Sequence, residues 1–160
     1  MARTVALDFS DLPTIYNLNF PVGPNGPNNF DDVLLVQTLM KMANFTRFTP
    51  ALGPVERSSK IKVDGFFGPQ TSRLIKAFEI DRRSAGLLLV ADGIFEASTP
   101  DGFTGKGFLF KIIHLNRAAK NQSNFGNDYN NLPFASTTHP ILRGKLAPGA
   151  VRPSRRIPGT

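Results

Sequence analysis

The chain has 160 residues, of which 41% are hydrophobic and 14 are Phe, and it contains no cysteine. That is enough for one domain with its own core plus appendages. It excludes disulfides, thiolate zinc sites and cysteine nucleophiles, and no apolar run is long enough for a transmembrane helix. The net charge of +7 is concentrated at one end: residues 141–160 hold Arg143, Lys145, Arg152, Arg155 and Arg156 without an acid, while all 12 acidic groups fall in the rest of the chain and nearly balance its remaining basic groups.

In chain order, residues 1–28 read as an extended segment. Ile15-Tyr16-Asn17-Leu18-Asn19-Phe20 alternates apolar and polar as a short strand does. The early charges at Arg3 and Asp8 interrupt any signal-peptide core, so synthesis in the cytoplasm without a leader is expected. A Pro/Gly loop spans 21–27. Asn29 or Asp31 then caps a first helix over about 31–44, whose broad apolar surface predicts contacts on more than one side. Residues 45–62 form a loop long enough to be a contact surface. A second helix is predicted over 69–82, a short buried run at Leu87–Val90, and a third helix over 104–120, weakened at its start by Gly105 and Gly107. From 121 the chain turns Asn-, Gly- and then Pro-rich, which predicts an extended basic arm without a core of its own, resting on its own body or on neighbouring subunits.

The densest signal is Val63-Asp64-Gly65-Phe66-Phe67-Gly68-Pro69-Gln70-Thr71. Asp64 and Gly65 suit a turn with φ above zero, Gly68 suits a second one, and Pro69 suits the first position of a helix. Phe66 or Phe67 is expected to pack beneath that helix. Asp92-Gly93-Ile94-Phe95 repeats the turn pattern further along the chain, and Asp101-Gly102-Phe103 repeats it again.

This stretch resembles the central motif of the peptidoglycan-binding-like domain family, a small three-helix module. The resemblance extends upstream to Val22-Gly23-Pro24-Asn25-Gly26-Pro27-Asn28, Asp32-Val33, Val36-Gln37 and Leu39, and downstream to Ala91-Asp92-Gly93-Ile94-Phe95 and Leu115-Asn116. These features are similar to a bacterial and phage subgroup. The family's second helix ends Phe-Gln, whereas this one ends Phe78-Glu79. The resemblance covers about Phe20 to Arg117 and implies a mainly α fold, a three-helix bundle with a short N-terminal strand. It divides the chain into an extended segment (1–28), a helical domain (29–120) and a basic arm (121–160). It also implies a wall-binding groove beside the motif loop and the helix after it. Asp64, Gly65, Gly68 and Pro69 are then turn formers, and Gln70, Thr71, Arg73 and Lys76 a wall-contact face.

Two histidines, His114 and His139, lack companion ligands, and His114 sits among apolar neighbours as a structural residue. No phosphate loop, nucleophile elbow or paired metal-binding histidine motif occurs. The glutamates Glu56, Glu79 and Glu96 show nothing that marks a lysozyme-like acid pair. The expectation is a non-enzyme without cofactor or metal. The favoured function is a structural component of a phage tail or baseplate, or of a related contractile injection particle, able to touch the cell wall and packing on other subunits. The alternative is a stand-alone peptidoglycan-binding module of the cell envelope. Nucleic acid is a weaker third partner, because the arm's Arg143, Lys145, Arg152, Arg155 and Arg156 lack aromatic interleaving.

Overall fold

A computed structural model describes residues 2–47, 56–122 and 127–146. They form a mainly helical protein with two small antiparallel two-stranded sheets. No helix among the described residues is long and apolar enough to cross a membrane.

The first helix, α1 (Phe30–Ala43), is enclosed on most sides: Val33, Leu34, Leu35, Val36, Leu39 and Met40 are all sealed from solvent. Asn29 occupies its N-cap but makes no side-chain cap bond. The acids of the first turn hold the N-terminal segment instead. Asp32 accepts from the Asn19 and Phe20 N–H groups at 3.0 and 3.1 Å, and Asp31 from the Ala2 N–H at 2.7 Å. Asn44, at φ 49°, ends the helix by donating its N–H to the Met40 carbonyl.

The N-terminal segment is a hairpin. β1 (Arg3–Ala6) pairs antiparallel with β2 (Thr14–Asn17) in the register Thr4 opposite Tyr16. The sequence alternation predicted a short strand here, and alternation ordinarily leaves one face exposed. Ile15, Tyr16, Asn17 and Leu18 are instead all buried, because the third helix and the Ser98 region cover the sides that β1 leaves open. In the 45–62 loop, β3 (Thr46–Arg47) pairs with β4 (Glu56–Arg57), followed by a 3-10 turn at Ser58–Lys60.

The second helix, α2 (Pro69–Ser84), starts at the expected proline. Its end is closed by Gly86 at φ 92° and a Leu87 N–H bond to the Arg82 carbonyl. The apolar run after it is not a buried segment. Leu89 is buried, but Leu88 and Val90 are exposed.

The third helix, α3 (Lys111–Gln122), begins well after the predicted position 104. Residues 103–109 fold back on themselves: the Thr104 N–H donates to the Phe108 carbonyl, Thr104 Oγ1 accepts from the Phe108 N–H, and Gly107 takes φ 83°. A left-handed glycine and a threonine bonding to its own loop give these residues an alternative to helix.

The expected extended arm does not hold over 127–146. Two short helices occur there, α4 (Asn127–Asn130) and α5 (Pro140–Leu146), and Tyr129, Leu132, Leu142 and Leu146 join the main core. Pro140 opens α5, where its missing N–H costs nothing. Tyr16 O–H donates to the Tyr129 carbonyl at 2.7 Å, and the two rings lie 4.9 Å apart. Thin as its apolar content is, the segment places it where the body has gaps.

Candidate functional site

The motif loop is built around Gln37, a single amide inside the apolar surface of α1. Its Oε1 accepts from the Asp64 and Gly65 N–H groups at 3.1 and 2.9 Å. Its Nε2 faces Asp64 Oδ1, the Phe66 carbonyl and Thr71 Oγ1, each at 3.1 Å. A buried amide with both ends occupied fixes a loop firmly, since leaving either end unmatched is costly.

Asp64 Oδ1 also accepts from the Phe66 N–H at 3.0 Å, and this bond, ahead of the one from Gln37, holds its carboxyl below the usual range. The same turn occurs three times. Asp92 Oδ1 accepts from Ile94 N–H, Asp101 Oδ1 from Phe103 N–H, and Gly65, Gly93 and Gly102 take φ 78°, 78° and 84°. The third copy shares this geometry with the first two.

The second copy has its own helical clamp. Glu79 in α2 accepts from the Gly93 N–H at 2.8 Å, as Gln37 does from Gly65. Being a carboxylate, it also takes the buried Lys111 ammonium, which reaches Asp92 as well. Burial pushes the Asp92 carboxyl up, but the Lys111 ammonium and the Ile94 N–H outweigh it and leave it below the ordinary range. In α3, Asn116 Oδ1 accepts from the Tyr16 N–H and its Nδ2 donates to the Tyr16 carbonyl, both at 2.9 Å, closing the outer edge of β2. Sequence reasoning missed these three roles. The signal was present: Val36-Gln37, Phe78-Glu79 and Leu115-Asn116 each set one polar residue directly after an apolar one in a helix.

The predicted wall-contact face divides. Thr71 is buried against Gln37, and Gln70 accepts from the Lys62 N–H at 3.1 Å, so both serve the loop. Arg73 and Lys76 are exposed on α2. Of the two phenylalanines, Phe67 packs against the core, while Phe66 is 69% exposed with its ring edge-on to Phe30. Pro69 opens α2 as expected. Gly68 is extended, and a Cβ there would meet nothing within 4 Å, so no steric demand explains it.

Arg143 and Lys145 lie in α5, where Arg143 donates to the Ala135 carbonyl at 3.1 Å. Arg152, Arg155 and Arg156 lie outside the described residues. His114 is buried as anticipated. Its Nε2 has no partner among the described residues, and burial, aided by Arg117 and Arg82, lowers its pKa to about 4.

The C-terminal segment also creates a cleft of about 330 Å³ against α1, lined by Lys41, Met42 and Val63 on one side and Asp128, Asn131 and Thr137 on the other. Among the described residues no group of three His, Cys, Asp or Glu side chains is placed to hold a metal ion. No family model matches the chain, and neither a curated protein nor a solved structure matches it.

Proposed function

We propose that this chain is a non-catalytic structural subunit of a phage tail or baseplate, or of a related contractile injection particle. In this reading it is built on a three-helix peptidoglycan-binding-like domain and works by packing on other proteins. The observation that carries the reading is how the motif is used. Asp64, Gly65, Gln70 and Thr71 are all spent on holding the loop to α1 and α2, while several large apolar side chains remain outside. Phe66, Leu88 and Phe134 are 69%, 70% and 62% exposed. Exposed aromatic and aliphatic anchors are what a protein–protein interface uses.

The second reading, a wall-targeting module, rests on Arg73 and Lys76, exposed one helical turn apart beside the motif turn and able to meet anionic wall polymers. Co-sedimentation of residues 1–146 with intact peptidoglycan sacculi at physiological salt separates the two. A folded chain that stays in the supernatant supports the subunit reading. A chain that pellets, and is released by Arg73→Ala with Lys76→Ala, overturns it in favour of wall binding. Ending the chain at Leu146 removes Arg152, Arg155 and Arg156, which would bind anionic polymers without specificity.

A further inference from the structure

The cleft between α1 and the C-terminal segment is lined with unspent polar groups. Lys41 stands on its α1 side and Asp128 on the opposite side. Among the described residues, neither forms an ion pair with the other or with any third group. Asn131 and Thr137 likewise commit no side-chain hydrogen bond among the described residues, although both reach the cleft. Met42, Val63 and Ala135 supply apolar surface between them. A cleft of about 330 Å³ falls within the range of roughly 300–1,000 Å³ seen for ligand sites, which combine an apolar lining with a few placed polar groups.

We propose that this cleft binds a short extended peptide segment of a partner protein, one carrying an apolar side chain between two residues of opposite charge. Three features select a peptide. The amide of Asn131 and the hydroxyl of Thr137 offer donors and acceptors together, matching a backbone in which each residue presents one of each. Met42 is unbranched and polarizable, suited to receiving an apolar side chain of variable shape. Lys41 and Asp128 place opposite charges across the cleft, which orients a chain bearing both signs.

The same features disfavour two other ligand classes. A phosphate polymer would meet Asp128 along with Lys41. A sugar ring would need a free aromatic face, and the one aromatic residue in the described lining, His139, already holds its ring 5.6 Å from Phe30 while its Nδ1 accepts from the Ile141 N–H.

The inference rests on the reading of the chain as a subunit that packs on other proteins, and it names where one such contact enters. The test uses the full chain, labelled with nitrogen-15, and two capped peptides: acetyl-Gly-Lys-Leu-Glu-Gly-amide and its charge-exchanged form acetyl-Gly-Glu-Leu-Lys-Gly-amide. Chitotriose and inorganic phosphate are the comparison ligands. One peptide is expected to shift the amides of Lys41, Met42, Val63, Asn131 and Thr137 in a saturable way, and about tenfold more tightly than the other, the size of one charge-assisted contact. The double variant Lys41→Glu with Asp128→Lys is expected to reverse the preference between the peptides. These side chains are exposed, so the spectrum should stay dispersed and report folding directly.

The proposal is overturned if neither peptide moves these amides at about 10 mM, an affinity too weak for use. It is equally overturned if chitotriose or phosphate moves them while the peptides do not, or if the charge exchange leaves the preference as it was. Loss of peptide binding in a chain that still stays clear of sacculi would remove the cleft and leave the subunit reading in place.

Discussion

Lys111 Nζ in α3 lies 2.5 Å from Glu79 Oε2 in α2, with 8% and 3% of their side chains exposed. Glu79 also receives the Gly93 N–H, so one carboxylate ties α2, the second Asp-Gly turn and α3 together. Glu79 and the lysine that opens α3 therefore act as one feature.

Breaking that pair from one side should be expensive. Glu79→Ala leaves Lys111 with only the half-exposed Asp92 and orphans the Gly93 N–H, so a loss of about 3–5 kcal/mol is expected. Glu79→Gln combined with Lys111→Met should recover most of it, since a glutamine can accept the Gly93 N–H as Gln37 accepts that of Gly65. Urea denaturation of Glu79→Gln, Lys111→Met and the double variant measures the coupling. Equal costs for the single and double changes would refute this account.

His114 makes stability depend on pH. Its folded pKa near 4 lies below the ordinary 6.5, so the folded state keeps the ring neutral. Its contribution is complete above pH 6.5 and is lost as pH falls toward 4, by roughly 3 kcal/mol in all. Burial raises the Asp32 carboxyl, which acts in the opposite direction, so the difference between wild type and His114→Met isolates the histidine. Thermal melts from neutral pH down to about pH 4 should show the variant losing less. The variant should also be no less stable at neutral pH, because the unpartnered Nε2 is removed.

The motif glycines should differ sharply. At Gly65 a Cβ would come within 2.3 Å of the Phe30 ring, and φ is 78°. Gly93 has the same φ, but its nearest obstacle is 3.8 Å away. Gly65→Ala should therefore cost clearly more than Gly93→Ala, which should cost only about 1–2 kcal/mol of backbone strain. Gly68→Ser should be neutral or stabilising by up to about 1 kcal/mol, since Gly68 is an extended N-cap without a side-chain bond. Calorimetry on the three variants gives the order directly.

Truncation should be tolerated after Leu146 and not after His139. Removing 147–160 spares every described core residue, whereas ending at His139 deletes Leu142 and Leu146, both buried. Single Leu→Ala changes at such sites cost about 2–5 kcal/mol each. Circular dichroism melts of 1–146 and 1–139 should show a near-native transition for the first and a broad or absent one for the second.

Much of the architecture could be read from residue order. Periodicity and punctuation placed α1 and α2 close to their observed ends, because Asp31, Asp32 and Pro69 sit where helices begin and the apolar spacing is local. The Asp-Gly turns were equally legible, since their bonds join near neighbours in the chain. The late start of α3 was not, because the 103–109 loop closes through a bridge between Phe103 and Leu109. Local composition also suggested an arm after 121, yet Tyr129, Leu142 and Leu146 are core residues because β1, β2 and α1 provide the surfaces that receive them. The candidate sites divide in the same way. Which residues form the motif turn follows from the sequence. That Gln37 holds it, that Thr71 faces inward, and that Lys41 and Asp128 share a cleft are long-range facts, fixed only when segments distant in the chain pack together.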